Sequence, residues 1–170
     1  VDPYQQETPT GLNGEKDAVQ VQVTFTMPEI LALYEYGRSM VKKPVHAHWR
    51  ETFAIAAVNR GLFGATAGNG SILAVFWRTD NPIVGADQIP TPDNNGLYVY
   101  VCWCFNSLGE EGLNALKHHL AESQVGARYV AHHDCRTGKG IRVRGGGRLV
   151  CVPLSPTAAD EVYKETLHHG

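Results

Sequence analysis

The sequence predicts a single mixed α/β (α+β) domain, in which helices flank a twisted, mostly antiparallel sheet. Hydrophobic residues make up 43% of the 170 residues and charged residues 19%, a composition typical of one globular domain. Segments with the two-residue period of a strand are interspersed with segments of helical period. An Asn-Gly pair between two apolar runs indicates an antiparallel hairpin.

The chain divides into an arm and a domain. Residues 1–16 combine several prolines and glycines with almost no apolar side chains, so nothing in this segment can join a core. We therefore expect an extended arm at residues 1–16, held in place only by a partner chain, and one domain at residues 17–170.

The domain is expected to open with a strand and a helix. Residues 19–26 alternate strictly between apolar and polar side chains, which predicts a half-buried strand. Thr26 and Glu29 have the spacing of a capping box, with Pro28 in the first turn, so a helix should follow. We expect this helix to end near residues 42–44.

A second helix and a hairpin should come next. Residues 45–58 have a helical pattern, and Gly61 stands where a left-handed C-terminal cap would lie. Residues 62–67 and 72–78 then flank Gly68-Asn69-Gly70, in which Asn-Gly would supply the positive backbone angles of a tight turn. Residues 79–95 contain three prolines among polar residues and predict a long loop.

The most strand-like run, residues 97–105, is apolar on both faces and predicts a central strand. Its Cys102 and Cys104, two apart, should share one face as small buried hydrophobes. Ser107 and Glu110 form another capping box, which opens a helix with a buried stripe of Leu113, Leu116 and Leu120. Three strands at residues 127–131, 141–144 and 148–152 and a last helix from Ser155 complete the prediction, with His168 and His169 at a mobile end.

Charge and composition indicate which partners to expect. A formal net charge of −2 gives no reason to expect nucleic acid or an anionic membrane as partner. The apolar runs fall short of the ~20 residues that span a bilayer, and no leader opens the chain. The four cysteines lack the paired spacing of a zinc site, so we expect reduced thiols and a cytoplasmic protein.

The predicted order is a strand, two helices, a hairpin, a central strand leading into a helix, and terminal strands. This order is similar to that of the GNAT superfamily of acyl-CoA N-acyltransferases. Residues 59–78 resemble the hairpin of that family, and residues 97–120 resemble its central strand and cofactor-binding helix. The resemblance implies acetyl-CoA or another acyl-CoA as cofactor, no metal, and a small-molecule or protein amine as acceptor.

The family binds the cofactor pyrophosphate on a loop with Gln or Arg, two residues, Gly, one residue, and Gly or Ala. This chain has Asn106-Ser107-Leu108-Gly109-Glu110-Glu111-Gly112. The resemblance therefore implies Asn106, Ser107, Gly109 and Gly112 as cofactor-binding residues. Glu111 stands where a small residue is expected, and carboxylates disfavour a neighbouring pyrophosphate. Helix capping by Ser107 and Glu110 is the alternative interpretation of the same residues.

The family commonly pairs a glutamate or an ordered water, acting as base, with a tyrosine acting as acid. Residues 97–105 contain no carboxylate, and Tyr98 is the candidate acid. The densest reactive cluster is His132-His133-Asp134-Cys135, in which His132 and His133 are the candidate bases because histidine titrates near neutral pH. A polar loop after a strand would explain this cluster equally well.

Three functions from different classes remain open. The first is an acyl-CoA-dependent N-acyltransferase with a divergent cofactor loop. The second is a catalytically inactive GNAT-like binding or assembly module, with a homo-oligomer formed through the arm. The third is a histidine-based hydrolase or metal site around His132, His133 and Cys135; a composite metal site would instead bring His118 or His119 together with His132 or His133. The glycine-rich, cationic residues 137–148 would suit either an anion site or simple hairpin turns.

Overall fold

The computed structural model describes residues 18–41, 46–84, 88–134, 148–154 and 167–169. These residues form three helices and one mixed, mostly antiparallel sheet of seven strands, which confirms the predicted fold class. The predicted arm, the strand at residues 141–144 and the helix from Ser155 lie outside the described residues. The strands are β1 (Gln20–Gln22), β2 (Leu62–Ala67), β3 (Gly70–Thr79), β4 (Tyr98–Asn106), β5 (Tyr129–Asp134), β6 (Arg148–Pro153) and β7 (Leu167–His169). The helices are α1 (Met27–Met40), α2 (His46–Val58) and α3 (Glu110–Ser123).

The strands lie in the sheet in the same order as in the chain, from β1 to β7. Every neighbouring pair is antiparallel except β4 and β5, which run parallel. Parallel neighbours need a long crossover, and α3 supplies it here. The start of α3 therefore lies at the end of β4.

The N-terminal strand is shorter and more exposed than predicted. Only Gln20–Gln22 pair with β2, and the Val21 side chain is 52% exposed because β1 is the edge strand of the described sheet. The predicted capping box of α1 is confirmed. The Thr26 N–H donates to Glu29 Oε1 (2.8 Å), and the Glu29 N–H donates to Thr26 Oγ1 (3.4 Å).

The left-handed residue at the end of α2 is Arg60 (φ 59°), so the prediction that Gly61 has this role is wrong. The Gly61 N–H donates to the Ala56 carbonyl (2.7 Å) and the Arg60 N–H to the Ala57 carbonyl (3.2 Å), which is a Schellman motif. A glycine is required at position 61 for a different, steric reason. A Cβ at this position would lie 1.6 Å from the carbonyl oxygen of Phe76, so only glycine permits this approach of two backbones.

The predicted hairpin is confirmed, but its turn differs in detail. Ala67 pairs with Gly70, which leaves Gly68 and Asn69 as a two-residue loop. The positive φ (58°) belongs to Gly68, the first central residue, as in a type II′ turn. The prediction that Asn69-Gly70 supplies the positive angles is therefore wrong.

A β-bulge interrupts β4. Val75 pairs with Trp103 while Phe76 pairs with Val101, so Cys102 is the extra residue on β4. Because of this insertion, Cys102 and Trp103 both pack on the same side of the sheet, and Cys104 packs on the other. The prediction that Cys102 and Cys104 share a face is wrong because it assumed an unbroken alternation.

Two apolar clusters cover the sheet. The α1–α2 face carries the cluster that contains Trp49, Phe53, Leu73, Val75, Trp77 and Tyr100. The α3 face carries the cluster that contains Phe63, Ile72, Phe76, Val99, Leu116 and Leu120. β4 contributes to both clusters and is the fourth of the seven strands, so its predicted central position is confirmed.

Several later elements are shifted from their predicted places. In α3, Leu116 and Leu120 are buried as expected, but Leu113 is exposed, and Gly112 is buried near the start of the helix. β5 spans Tyr129–Asp134 and not residues 127–131. His168 and His169 belong to β7, paired with β6, and do not form a mobile end. None of the helices in the described ranges has the length and apolar character needed to cross a membrane.

Candidate functional site

The junction between β4 and β5 is where the sheet opens. The parallel ladder contains three pairs and stops at Tyr100–Ala131, although β4 continues to Asn106 and β5 to Asp134. Crevices at the carboxyl ends of parallel strands are the usual ligand sites of sheets with such crossovers. Because α3 starts directly after β4, its N-terminus lies at this same end.

The β4 bulge lies just beyond the last pair of the ladder, and Thr52 of α2 holds it. The Thr52 side chain is buried; its Oγ1 accepts a hydrogen bond from Trp103 Nε1–H (2.7 Å) and its hydroxyl donates to the His48 carbonyl (2.6 Å). The Cys102 thiol lies beside the same hydroxyl, and burial raises the pKa of this thiol. A bulged strand bends locally, so these contacts fix the direction in which β4 leaves β5.

Asn106 closes the turn between β4 and α3. Its Nδ2 donates to the Gly109 carbonyl (2.9 Å), and its Oδ1 accepts from the Leu108 N–H (2.9 Å). A Cβ on Gly112 would lie 2.6 Å from Asn106 Oδ1 and 2.9 Å from Leu108 Cβ. Asn106 and Gly112 therefore fix the conformation of the turn through their contacts within it.

Gly109 is the N-cap residue of α3, with φ 67° and ψ −140°, and no atom lies within 4 Å of where its Cβ would be. The backbone here is open to a ligand and adopts a conformation that favours glycine. The N–H groups of the first helical turn have no intrahelical acceptor, and they carry the positive end of the helix dipole. Glu110 and Glu111 lie in this turn with exposed side chains.

Ser107 does not cap α3, so the predicted capping box is wrong. Its Oγ accepts from the Ser71 N–H (2.9 Å) and donates to the Ser71 carbonyl (3.2 Å), and its own N–H also donates to that carbonyl (2.8 Å). The partner lies on β3, far away in the sequence, and local spacing could not reveal it. Ser107 therefore fastens the turn to the β2–β3 hairpin.

Strand alternation in β5 separates the two candidate bases. The His133 ring lies 6.2 Å from the Tyr100 ring on the α1–α2 face, with the rings nearly perpendicular. Successive strand residues point to opposite faces, so His132 points to the α3 face. The structure thus brings His133, and not His132, beside Tyr100 at the end of the ladder.

Tyr98 lies in the part of the junction where β4 and β5 are still paired, opposite Tyr129. Its ring stacks on Tyr129 at 5.4 Å, and burial, followed by the nearby Cys151, Tyr129 and Asp80, raises the pKa of the Tyr98 phenol. Sequence reasoning missed Tyr100 as a site residue because the point at which a ladder ends has no local signal. Thr52 was missed as well, although a threonine within an apolar helical stripe marks a position that needs a buried hydrogen-bond partner.

The composite histidine site does not form from His119 and His133. The His119 ring stacks on Phe63 (5.2 Å) on the α3 face, whereas His133 lies on the α1–α2 face. His118 is exposed and lies 3.3 Å from Glu122. Across the described ranges, no three His, Cys, Asp or Glu side chains are grouped so as to hold a metal ion. Cys135 and nearly all of the glycine-rich segment lie outside those ranges.

The open junction therefore combines three features: a helix start with an uncovered glycine, a strand that continues past its ladder, and a histidine beside a tyrosine. Such a set suits a ligand with an anionic group near the helix start and a group that gains or loses a proton near His133. Comparison of the chain with protein-family models, with curated proteins and with solved structures finds no match in any of the three.

Proposed function

We propose that the protein is an acyl-CoA-dependent N-acyltransferase whose cofactor lies in the open β4–β5 junction. The observation that carries this proposal is that the parallel ladder stops at Tyr100–Ala131 while β4 runs on to the N-terminus of α3. An acyl-CoA is long and has a pyrophosphate in its middle. It needs an anion site and an extended cleft in line, and we infer that the start of α3 would serve as the first and the gap between β4 and β5 beyond Tyr100–Ala131 as the second.

The start of α3 would bind the pyrophosphate. The N–H groups of Glu110 and Glu111 would donate to its oxygens, and Gly109 would leave room for the phosphates. Of the residues predicted to bind the cofactor, Gly109 is the one we place in contact with it. Asn106, Ser107 and Gly112 would act indirectly, because their contacts shape and anchor the turn.

Acyl transfer would occur at the other end of the cleft, beside His133. An amine attacks the thioester carbonyl, a C–N bond forms and the C–S bond breaks. His133 would take the proton that the attacking nitrogen loses, and a tyrosine would give a proton to the departing CoA thiolate. Tyr100 is the better placed donor because it adjoins His133, whereas Tyr98 stacks on Tyr129 within the ladder.

Calorimetric titration with acetyl-CoA tests the cofactor site. We expect heat of binding from the wild type, no binding by Gly109→Trp, and retained binding by Gly109→Ala, which imposes the same backbone strain of about 1 kcal/mol without the bulk. Glu111→Gly should bind more tightly, since it removes a negative charge beside the pyrophosphate. No heat from the wild type or from Glu111→Gly at millimolar acetyl-CoA would exclude the acyltransferase and leave the binding or assembly module.

A further inference from the structure

A second concave site lies away from the β4–β5 junction, between α1 and strands β1 to β3. It is a groove of about 480 Å³, within the usual range for small-molecule sites. Gln20, Thr66 and Ser71 form a cross-strand row on its floor, because Gln20 pairs with Thr66 and Thr66 with Ser71. Phe25, Leu33 and Tyr36 also line it.

The polar groups of this groove are all neutral. The floor supplies the amides of Gln20 and Gln22 and the hydroxyls of Thr66 and Ser71, and the Tyr36 hydroxyl lies 3.4 Å from Ser71 Oγ. None of the described lining residues carries a charge. Moving an ionised group out of water without a counter-charge costs far more than moving a neutral hydroxyl or amide that finds a partner. An ion in this groove would therefore meet no counter-charge from the described lining, whereas a neutral hydroxyl or amide would meet partners.

Gly64 keeps the floor of the groove open. It lies within β2 with an ordinary backbone conformation, and a Cβ there would point toward Phe25, 3.8 Å from its Cζ. A side chain at this position would project into the groove and take up part of it. Phe25 and Tyr36 leave flat apolar surface beside the row of polar groups, and Tyr36 is 41% exposed.

We propose that this groove binds a small uncharged ligand that carries hydroxyl or amide groups on an aromatic or similarly apolar frame. The hydroxyl and amide groups would pair with Gln20, Thr66, Ser71 and the Tyr36 hydroxyl, while the frame would pack on Phe25 and the Tyr36 ring. The site does not depend on acyl-CoA binding, because none of its residues is proposed to touch that cofactor; Ser71 anchors Ser107 of the β4–α3 turn through its backbone alone.

Three probes that each contain a phenol ring differ in net charge, so they test whether charge decides binding. N-acetyltyrosinamide is neutral, N-acetyltyrosine is an anion and tyramine is a cation. We expect the neutral probe, followed by amide chemical shifts in NMR, to perturb residues 20–22, 64–66 and 71. It should bind about tenfold more tightly than either ion. Phenyl β-glucoside, a neutral probe with a different frame, should perturb the same residues.

Two variants and a control locate the binding. Gly64→Val should fold, since valine suits a strand and meets no close contact, and should abolish the perturbation. Tyr36→Phe should weaken binding about fivefold through the lost hydroxyl, whereas Tyr129→Phe, far from the groove, should leave it unchanged. The proposal is overturned if neither neutral probe perturbs the groove, if the ions bind equally well, or if both groove variants bind as the wild type does. Acetyl-CoA titration reports on the other site, so each proposal can fail alone.

Discussion

His132 and His133 are neighbours in the chain, yet β5 turns them to opposite faces of the sheet. This pair provides a matched test of the proposed base. His133→Asn should lower kcat for acetyl transfer to a panel of primary amines by about 10²- to 10⁴-fold, the usual contribution of a general base. His132→Asn should leave kcat unchanged. Released CoA thiol gives the rate, and equal losses in both variants would contradict the assignment.

His119 affects a different property, which is how the free energy of unfolding depends on pH. Its ring lies between Phe63 (5.2 Å) and Phe76 (6.3 Å), and its other neighbours are His118, Glu122 and Ser123. Burial lowers the pKa of His119 below 6.5, and this outweighs the opposing effect of Glu122. The unfolded chain therefore binds a proton more readily than the folded one, so stability should fall as the pH drops below 6.5.

We expect His119→Phe to lose less stability than the wild type between about pH 7.5 and about pH 5.5, because it removes this titration while keeping an aromatic ring. The free energy of unfolding in urea at each pH measures the effect. His133→Asn, which alters an exposed histidine on the opposite face of the sheet, is the control and should follow the wild type. Parallel pH profiles for wild type and His119→Phe would show that His119 does not contribute.

At the scale of elements, Thr52 joins α2 to the bulge of β4. Thr52→Val removes the acceptor of the Trp103 Nε1–H and leaves a partly buried donor without its partner, at a cost of about 1–3 kcal/mol. Thr52→Ser keeps the hydroxyl and should cost less than about 1 kcal/mol. Urea unfolding of both variants measures the difference. A larger loss in Thr52→Ser than in Thr52→Val would mean that the threonine methyl group, and not the hydrogen bond, stabilises the bulge.

Elements set by local sequence were predicted well. The capping box at Thr26, the hairpin around Gly68 and the central strand each depend on residues within a few positions of one another. Features that need a distant partner were not predicted. Ser107 bonds to Ser71 instead of capping its own helix, and the extra residue Cys102 reverses the faces of the side chains that follow it.

The candidate site was predicted only in part for the same reason. The loop at Gly109 and the histidines at the end of β5 could be located from their order in the chain. The histidine that lies beside Tyr100 is determined by which residues of β4 and β5 pair. This register, and the point where the ladder ends, cannot be read from either segment alone. The groove beneath α1 has no sequence signal, because its floor combines three strands.

Across the whole molecule, two parts of the sheet meet at a narrow joint. Strands β1 to β4 and strands β5 to β7 are connected by the three pairs of the parallel ladder. Side-chain packing extends across this joint more widely than backbone pairing does. The cluster on the α1–α2 face includes Val75 and Tyr100 from one part and Ala131 and Cys151 from the other. We therefore expect the two parts to unfold together.

Two thiols, one in each part, can test this expectation. Cys102 lies on β4 and Cys151 on β6, and burial raises the pKa of both, so neither should react in the folded protein. In a Cys104→Ser, Cys135→Ser background, each thiol should become reactive toward a thiol reagent only as the protein unfolds in urea. The two midpoints should coincide with each other and with the loss of far-UV circular dichroism, as two-state unfolding requires. Modification of Cys151 at a lower urea concentration than Cys102 would show that strands β5 to β7 open first and that the joint, despite its packing, separates two folding units.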